Sequence, residues 1–193
     1  KINAFAKSNN LWVLDDAAQS FGTELNGAKT GTLAEVTCTS FFPAKPLGCY
    51  GDGGALFTDS TEIAEIARSA RVHGQGSHKY QTFRLGMTAR LDTIQAAILL
   101  AKLKVFDEEL MLRNAAASYY AELLSAWVET PICHPDKTSS WAIYTIKLPK
   151  KVYRVFIQEE LNKRGVPTAI YYPIPMHLQK PYAHYPRDRN GLE

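Results

Sequence analysis

Seventeen residues, Thr39 to Ala55, carry two prolines, four glycines and a single lysine. Pro43 and Pro46 flank the Ala44–Lys45 pair, and Gly48, Gly51, Gly53 and Gly54 follow. The runs on either side, Val36 to Phe42 and Ala55 to Thr58, are rich in β-forming residues. The chain must therefore leave a strand, turn rigidly around Lys45 and re-enter a strand. A solvated surface lysine needs no such frame. An amine held in one place, partly desolvated and available as a nucleophile, does.

The rest of the chain reads as alternating strands and helices. Leu11 to Leu14 is a continuous apolar run, as in a buried parallel strand, and it ends in Asp15-Asp16. A carboxylate at that end of a strand points to where open α/β sheets bind ligands; equally, with Ala17-Ala18-Gln19 following, it reads as a helix N-cap. Residues 22–35 read as loop. Gly22 and Gly27 have the spacing of a phosphate-binding P-loop, but Ala28 stands before Lys29 and breaks the geometry. A helix is expected over 61–71, with Ile63, Ile66, Ala67 and Ala70 as its apolar stripe. Residues 73–89 read as a long polar loop holding His73 and His78. Two helices, or one kinked helix, are expected over 91–102 and 105–125. Pro131 and Pro135 bracket a linker. The aromatic and β-branched run Trp141 to Leu148 predicts a strand. A helix over 152–164 should stop at Gly165, and Val166 to Tyr172 predicts a further strand. Pro173, Pro175 and Pro181 mark irregular structure around His177. The organisation expected is a first domain over 1–104, a bridging helix over 105–130 and a small α+β unit over 131–193.

Composition narrows the function classes. With 46% hydrophobic and 21% charged residues, the 193-residue chain is of ordinary soluble globular make-up. No apolar run approaches the ~20 residues of a membrane span. A net charge of +3 with interspersed signs gives no case for nucleic acid. Cys38, Cys49 and Cys133 are too few and too scattered for a disulfide framework and read as free thiols in a reducing, cytoplasmic compartment. No metal-ligand spacing is present, Cys133-His134 included, and no Gly-x-Ser-x-Gly elbow. Cys49 reads as a small packed thiol. The chain opens on Lys1 without an initiator Met, which is read as the start of a piece of something longer.

Asp16, Gln19, Ser40 and Lys45 remain. Pyridoxal phosphate chemistry needs a lysine amine to carry the cofactor, a carboxylate to keep the pyridine nitrogen protonated, and hydroxyl and backbone donors for the phosphate. A strand-end Asp, a strand-end Ser and a turn Lys on neighbouring strands could supply three of these.

The motifs Leu14-Asp15-Asp16-Ala17-Ala18-Gln19, Ser40-Phe41-Phe42-Pro43-Ala44-Lys45 and Gly51-Asp52-Gly53-Gly54-Ala55 resemble those of the DegT/DnrJ/EryC1/StrS family, the fold-type-I, pyridoxal-phosphate-dependent sugar aminotransferases. The resemblance continues through His73-Gly74, Arg90-Leu91-Asp92 with Gln95-Ala96-Ala97, Tyr172-Pro173 and Met176-His177-Leu178, and so covers nearly the whole chain.

The resemblance implies part of a mainly parallel α/β central sheet with flanking helices, and a small C-terminal α+β domain. Residues 1–104 would belong to the large cofactor-binding domain. It implies that Lys45 carries the cofactor and shuttles a proton, that Asp16 pairs with the pyridine nitrogen and that Asp15 is a structural neighbour. Gln19 would bond the phenolic oxygen and Ser40 the phosphate. Related sugar dehydratases have His where Lys45 stands, so Lys45 argues for transamination. The implied substrates are a keto-sugar nucleotide and glutamate. The wording of the lysine motif is closest to the branch acting on UDP-2-acetamido-3-oxo-glucuronate, in bacterial surface polysaccharide (lipopolysaccharide) synthesis. Another 3-keto or 4-keto nucleotide sugar, or a catalytically silent fragment, are the other readings. Arg90 and His177 are candidate sugar or carboxylate contacts; otherwise Arg90 pairs with Asp92, and His177 packs among prolines. A homodimer with shared sites is implied, without nucleic acid or membrane. Two departures stand out. The family's early glycine-threonine phosphate loop and stacking aromatic have no counterpart here. Thr88 occupies the place of the Asn that reaches the partner subunit's phosphate.

Overall fold

The strand that feeds the lysine turn is the middle of a three-stranded sheet. β4, Val36–Ser40, alternates half-buried and buried residues, with Thr37 and Thr39 on the covered face. β1, Leu14–Asp16, runs parallel to it, with Asp16 opposite Cys38. β5, Gly54–Phe57, runs antiparallel on the other side, with Ser40 opposite Gly54. A computed structural model describes residues 1–186. It comprises two compact units, one spanning Lys1–Lys147 and one beginning at Leu148.

In the first unit, α1 spans Ile2–Ser8 and α2 spans Thr61–Ala70. Ser60 caps α2 through the Ile63 amide, 3.3 Å from its hydroxyl. α3, Thr93–Leu103, and α4, Phe106–Leu124, are separate helices broken at Lys104-Val105. Asp107, Glu108 and Glu109 in the first turn of α4 suit the positive end of its dipole. The two helices cover the lysine turn. Leu99 and Phe106 bury against Phe41, Leu47 and Cys49, with Phe21, Leu91 and Leu110 packed around them. Each such side chain contributes roughly 1.5–3 kcal/mol through burial.

Three segments of the first unit differ from the sequence reading. The first strand lies at 14–16 rather than 11–14, because pairing with β4 selects the residues level with Val36–Cys38. Residues 22–35 are not plain loop: β2, Glu24–Leu25, and β3, Ala28–Lys29, form a hairpin. Its turn, Asn26-Gly27, has both residues at positive φ, 51° and 78°. Asn-Gly is the dipeptide that this turn favours, and it was legible. β6, Lys137–Thr138, adds to the other edge of β2. Trp141 to Leu148 is not a strand. Trp141 has φ 46°, which breaks the extended backbone. Its aromatic side chains serve packing instead: Tyr144 stacks on Trp141 at 5.4 Å and on Tyr120 at 5.2 Å. Only Lys147 pairs, in an isolated bridge with Glu129.

The second unit holds α5, Arg154–Lys163, and two 3₁₀ turns, Met176–Leu178 and Lys180–Tyr182. Gly165, at φ 75°, closes α5: its amide reaches Asn162 O, and the Val166 amide reaches Leu161 O. The strand expected at 166–172 is absent, since no described segment pairs with it.

Candidate active site

The lysine turn is closed by its own backbone and then gripped by α3 and α4. The Lys45 amide donates to Phe42 O at 2.8 Å, and the Cys49 amide donates to Phe41 O at 2.8 Å. The Cys49 thiol lies 3.0 Å from Phe41 O and 3.2 Å from Gly51 O, so it is a packed donor. Gly48 has to be glycine: a Cβ there would stand 2.5 Å from Pro43 O. Pro46, Leu47 and Cys49 are fully buried or nearly so, in a stretch with no strand partner for its carbonyls. Buried carbonyls need donors, and the helices supply them. Lys102 Nζ donates to Gly48 O at 2.6 Å, and Arg113 Nη2 donates to Pro46 O at 3.3 Å. Gln95 Oε1 accepts from the Tyr50 amide at 2.8 Å.

A second turn leaves β1. Asp16 Oδ1 accepts from the Ala18 amide at 3.0 Å, so residues 16–20 form a turn and no helix starts there. The turn is tied to β4 twice: the Ala17 amide donates to Cys38 O at 2.7 Å, and Thr39 Oγ1 donates to Ala17 O at 3.0 Å. Ser140, 2% exposed, donates through Oγ to Gln19 O at 3.0 Å.

Asp16 and Ser40 therefore stand at the carboxyl ends of adjoining parallel strands, where α/β sheets bind ligands, and Lys45 lies in the turn after Ser40. Each keeps unspent valence among the described residues. The Ser40 hydroxyl accepts from the Phe42 amide at 3.2 Å and leaves its own hydrogen to donate. Asp16 makes no ion pair, and Lys45 Nζ makes neither hydrogen bond nor ion pair. The Gln19 side-chain amide is exposed and likewise without a partner. Thr88 is held by a bridge to Val72, and its hydroxyl faces His73, 3.4–3.5 Å from the ring nitrogens. Arg90 is exposed and forms no pair with Asp92. His177 lies in the second unit, half-buried in the first 3₁₀ turn, with no hydrogen bond from its ring among the described residues. Among the described residues no cluster of three or more His, Cys, Asp or Glu could hold a metal. No described helix is long and apolar enough to cross a membrane.

Sequence reasoning gave no role to Gln95, Lys102, Arg113, Asn114 or Ser140. Gln95 stood only within a motif shared with the family, and Lys102 and Arg113 only as basic residues within helix patterns.

The DegT/DnrJ/EryC1/StrS aminotransferase family model matches residues 1–192. The chain belongs to this family. It is 46% identical over 179 residues to the UDP-2-acetamido-2-deoxy-3-oxo-D-glucuronate aminotransferase of Pseudomonas aeruginosa, covering 92% of this chain and 49% of the relative. A crystal structure of a DegT/DnrJ/EryC1/StrS aminotransferase from Brucella abortus superposes with a TM-score of 0.92 at 42% identity, over 99% of this chain and 50% of that one. NtdA from Bacillus subtilis, solved with bound cofactor PMP, superposes with a TM-score of 0.81 at 31% identity, over 93% of this chain and 41% of that one. The chain thus spans about half the length of the curated relatives it matches. Its sheet and helices are part of the fold-type-I α/β architecture that DegT/DnrJ/EryC1/StrS members share.

The family's cofactor is pyridoxal 5′-phosphate. The donor set of the two turns fits it: an unpaired amine, a carboxylate with an open oxygen, and a hydroxyl with an open hydrogen on adjoining strand ends.

Proposed function

We propose that the protein is a pyridoxal-phosphate-dependent aminotransferase acting on a keto-sugar nucleotide, with UDP-2-acetamido-3-oxo-glucuronate as the sugar and glutamate as the amino donor. The bound cofactor would supply an electron sink conjugated to the amine being transferred. Lys45 would hold the cofactor through Nζ and afterwards carry the proton between cofactor and substrate carbons. Asp16 would keep the pyridine nitrogen protonated, Gln19 would bond the phenolic oxygen, and Ser40 would donate to the phosphate. Thr88 is assigned to the phosphate of a partner subunit in a homodimer. Arg90 and His177 are assigned to the sugar or its carboxylate. The setting is bacterial surface polysaccharide synthesis in the cytoplasm.

The observation that carries this reading is the unspent valence of Asp16, Ser40 and Lys45 at the strand ends. The 46% identity to a 3-oxo-glucuronate aminotransferase supports the choice of sugar.

Borohydride reduction of the chain incubated with pyridoxal phosphate tests it. Mass analysis should find one cofactor fixed to Lys45, and none in Lys45→Ala. A chain that fixes none is a silent piece of such an enzyme. Assays of 3-keto and 4-keto nucleotide sugars with glutamate, on the longest form that binds cofactor, test the substrate. Preference for a 4-keto or dTDP-linked sugar would overturn that part.

A further inference from the structure

We propose that Arg113 and Ser140 form a relay that fixes the separation of the lysine turn from the Asp16–Gln19 turn, which makes Arg113 a positioning residue for Lys45. The role toward Lys45 rests on the cofactor reading above; the coupling of the two turns does not.

Arg113 on α4 donates through two different nitrogens to two carbonyls. Nη2 reaches Pro46 O, the residue after Lys45, and Nη1 reaches Ser140 O, each at 3.3 Å. Ser140 continues the path. Its hydroxyl donates to Gln19 O at 3.0 Å, and its amide donates to Thr23 Oγ1 at 3.2 Å. An unbroken series of bonds therefore runs from the lysine turn through one guanidinium and one buried serine to the turn that presents Asp16 and Gln19. A planar fork with fixed donors keeps two carbonyls at a set distance; a lysine ammonium, a point charge on a flexible stem, can satisfy one of them but cannot space both. The serine strap is itself pinned. Asn114, the next residue on α4, donates to Ser139 O and accepts from Trp141 Nε1, both at 3.0 Å. Glu109 lies 3.8 Å from Arg113 Nη2, with both side chains a third or more exposed, and such a pair adds little.

Hydrogen exchange on the cofactor-free chain tests the relay. Arg113→Met and Arg113→Lys should speed exchange at the Lys45 and Cys49 amides and at the Ala18 and Thr23 amides together, by roughly tenfold or more beyond any change in α2. Glu109→Gln should change neither turn. Ser140→Ala, which keeps the carbonyl that Arg113 grips, should loosen the Asp16–Gln19 turn alone. Faster exchange in only one turn of the Arg113 variants, or a rise in the two turns no larger than across the rest of the first unit, would overturn the coupling. A second measurement addresses Lys45 itself: the rate at which pyridoxal phosphate becomes fixed to it, followed by absorbance. Arg113→Lys should slow that rate roughly tenfold while the variant stays folded. An unchanged rate would overturn the positioning role. A wild-type chain that fixes no cofactor yet shows coupled exchange would sink the cofactor reading and leave the relay standing.

Discussion

Gly48→Ala isolates the frame of the lysine turn from its chemistry. A Cβ at this position would lie 2.5 Å from Pro43 O and 2.8 Å from Phe42 O, the nearer contact about 0.9 Å inside the 3.4 Å at which ordinary contact begins. The obstructing atoms are backbone, in a segment where Pro46, Leu47 and Cys49 are already buried, so no flexible side chain can give way. The turn must open by nearly an ångström. Overpacking of this kind costs about 1–3 kcal/mol, and backbone obstruction places Gly48→Ala at about 2–3 kcal/mol. Gly27→Ala is the matched control. A Cβ there would meet nothing within 4 Å and carry only the strain of φ 78°, about 1 kcal/mol. Urea unfolding followed by tryptophan fluorescence gives both differences. The opening also displaces Gly48 O from Lys102 Nζ, a 2.6 Å bond, so Lys45 loses part of its support. Fixation of pyridoxal phosphate at Lys45 should slow by roughly tenfold to a hundredfold, as an ångström of misplacement does to an oriented group. If Gly48→Ala is no less stable than Gly27→Ala, the turn is not packed as described and the reasoning fails.

Other outcomes follow from the same geometry. Asp16→Asn retains an oxygen for the Ala18 amide and should leave stability within about 0.5 kcal/mol, while cofactor retention after gel filtration falls sharply because the charge is gone. Ser60→Ala removes the cap of α2 and should cost about 1 kcal/mol in urea unfolding, with cofactor fixation unchanged. Asn114→Ala leaves Ser139 O and Trp141 Nε1 without their partner and should cost roughly 2–3 kcal/mol, with a shift in Trp141 emission.

The strands around the turn were legible because their signals are local. Val36 to Ser40 is β-branched and alternates, Gly54 re-enters beside it, and Ser60 stands one residue before an amphipathic helix. Lys45, framed by two prolines, could be singled out for the same reason. Trp141 to Leu148 misled because strand propensity measures fit to a half-buried pleated surface. The segment found such a surface against Tyr120 of α4 without forming a ladder. Arg113 was illegible for a different reason. Its work depends on two carbonyls, Pro46 O and Ser140 O, whose owners lie 67 and 27 residues away. A helix pattern records that a basic residue faces inward; it does not record what waits there.

The residues assigned to chemistry and the residues that carry stability are largely different sets. Asp16 and Gln19 are exposed, and Ser40 and Lys45 are only half-buried. Thr37, Leu47, Cys49 and Ser140 are buried and hold the strand and the two turns in place. An amine held for covalent work needs open valence, and open valence contributes nothing to folding; its placement must come from neighbours. Lys45→Ala should therefore abolish cofactor fixation while shifting the urea midpoint by less than about 0.5 kcal/mol equivalent. Arg113→Met should alter both, since it leaves Pro46 O and Ser140 O buried without a donor, at about 1–3 kcal/mol. If Lys45→Ala proves as destabilising as Arg113→Met, then Lys45 is part of the frame itself, and the division between presented group and supporting shell does not hold in this fold.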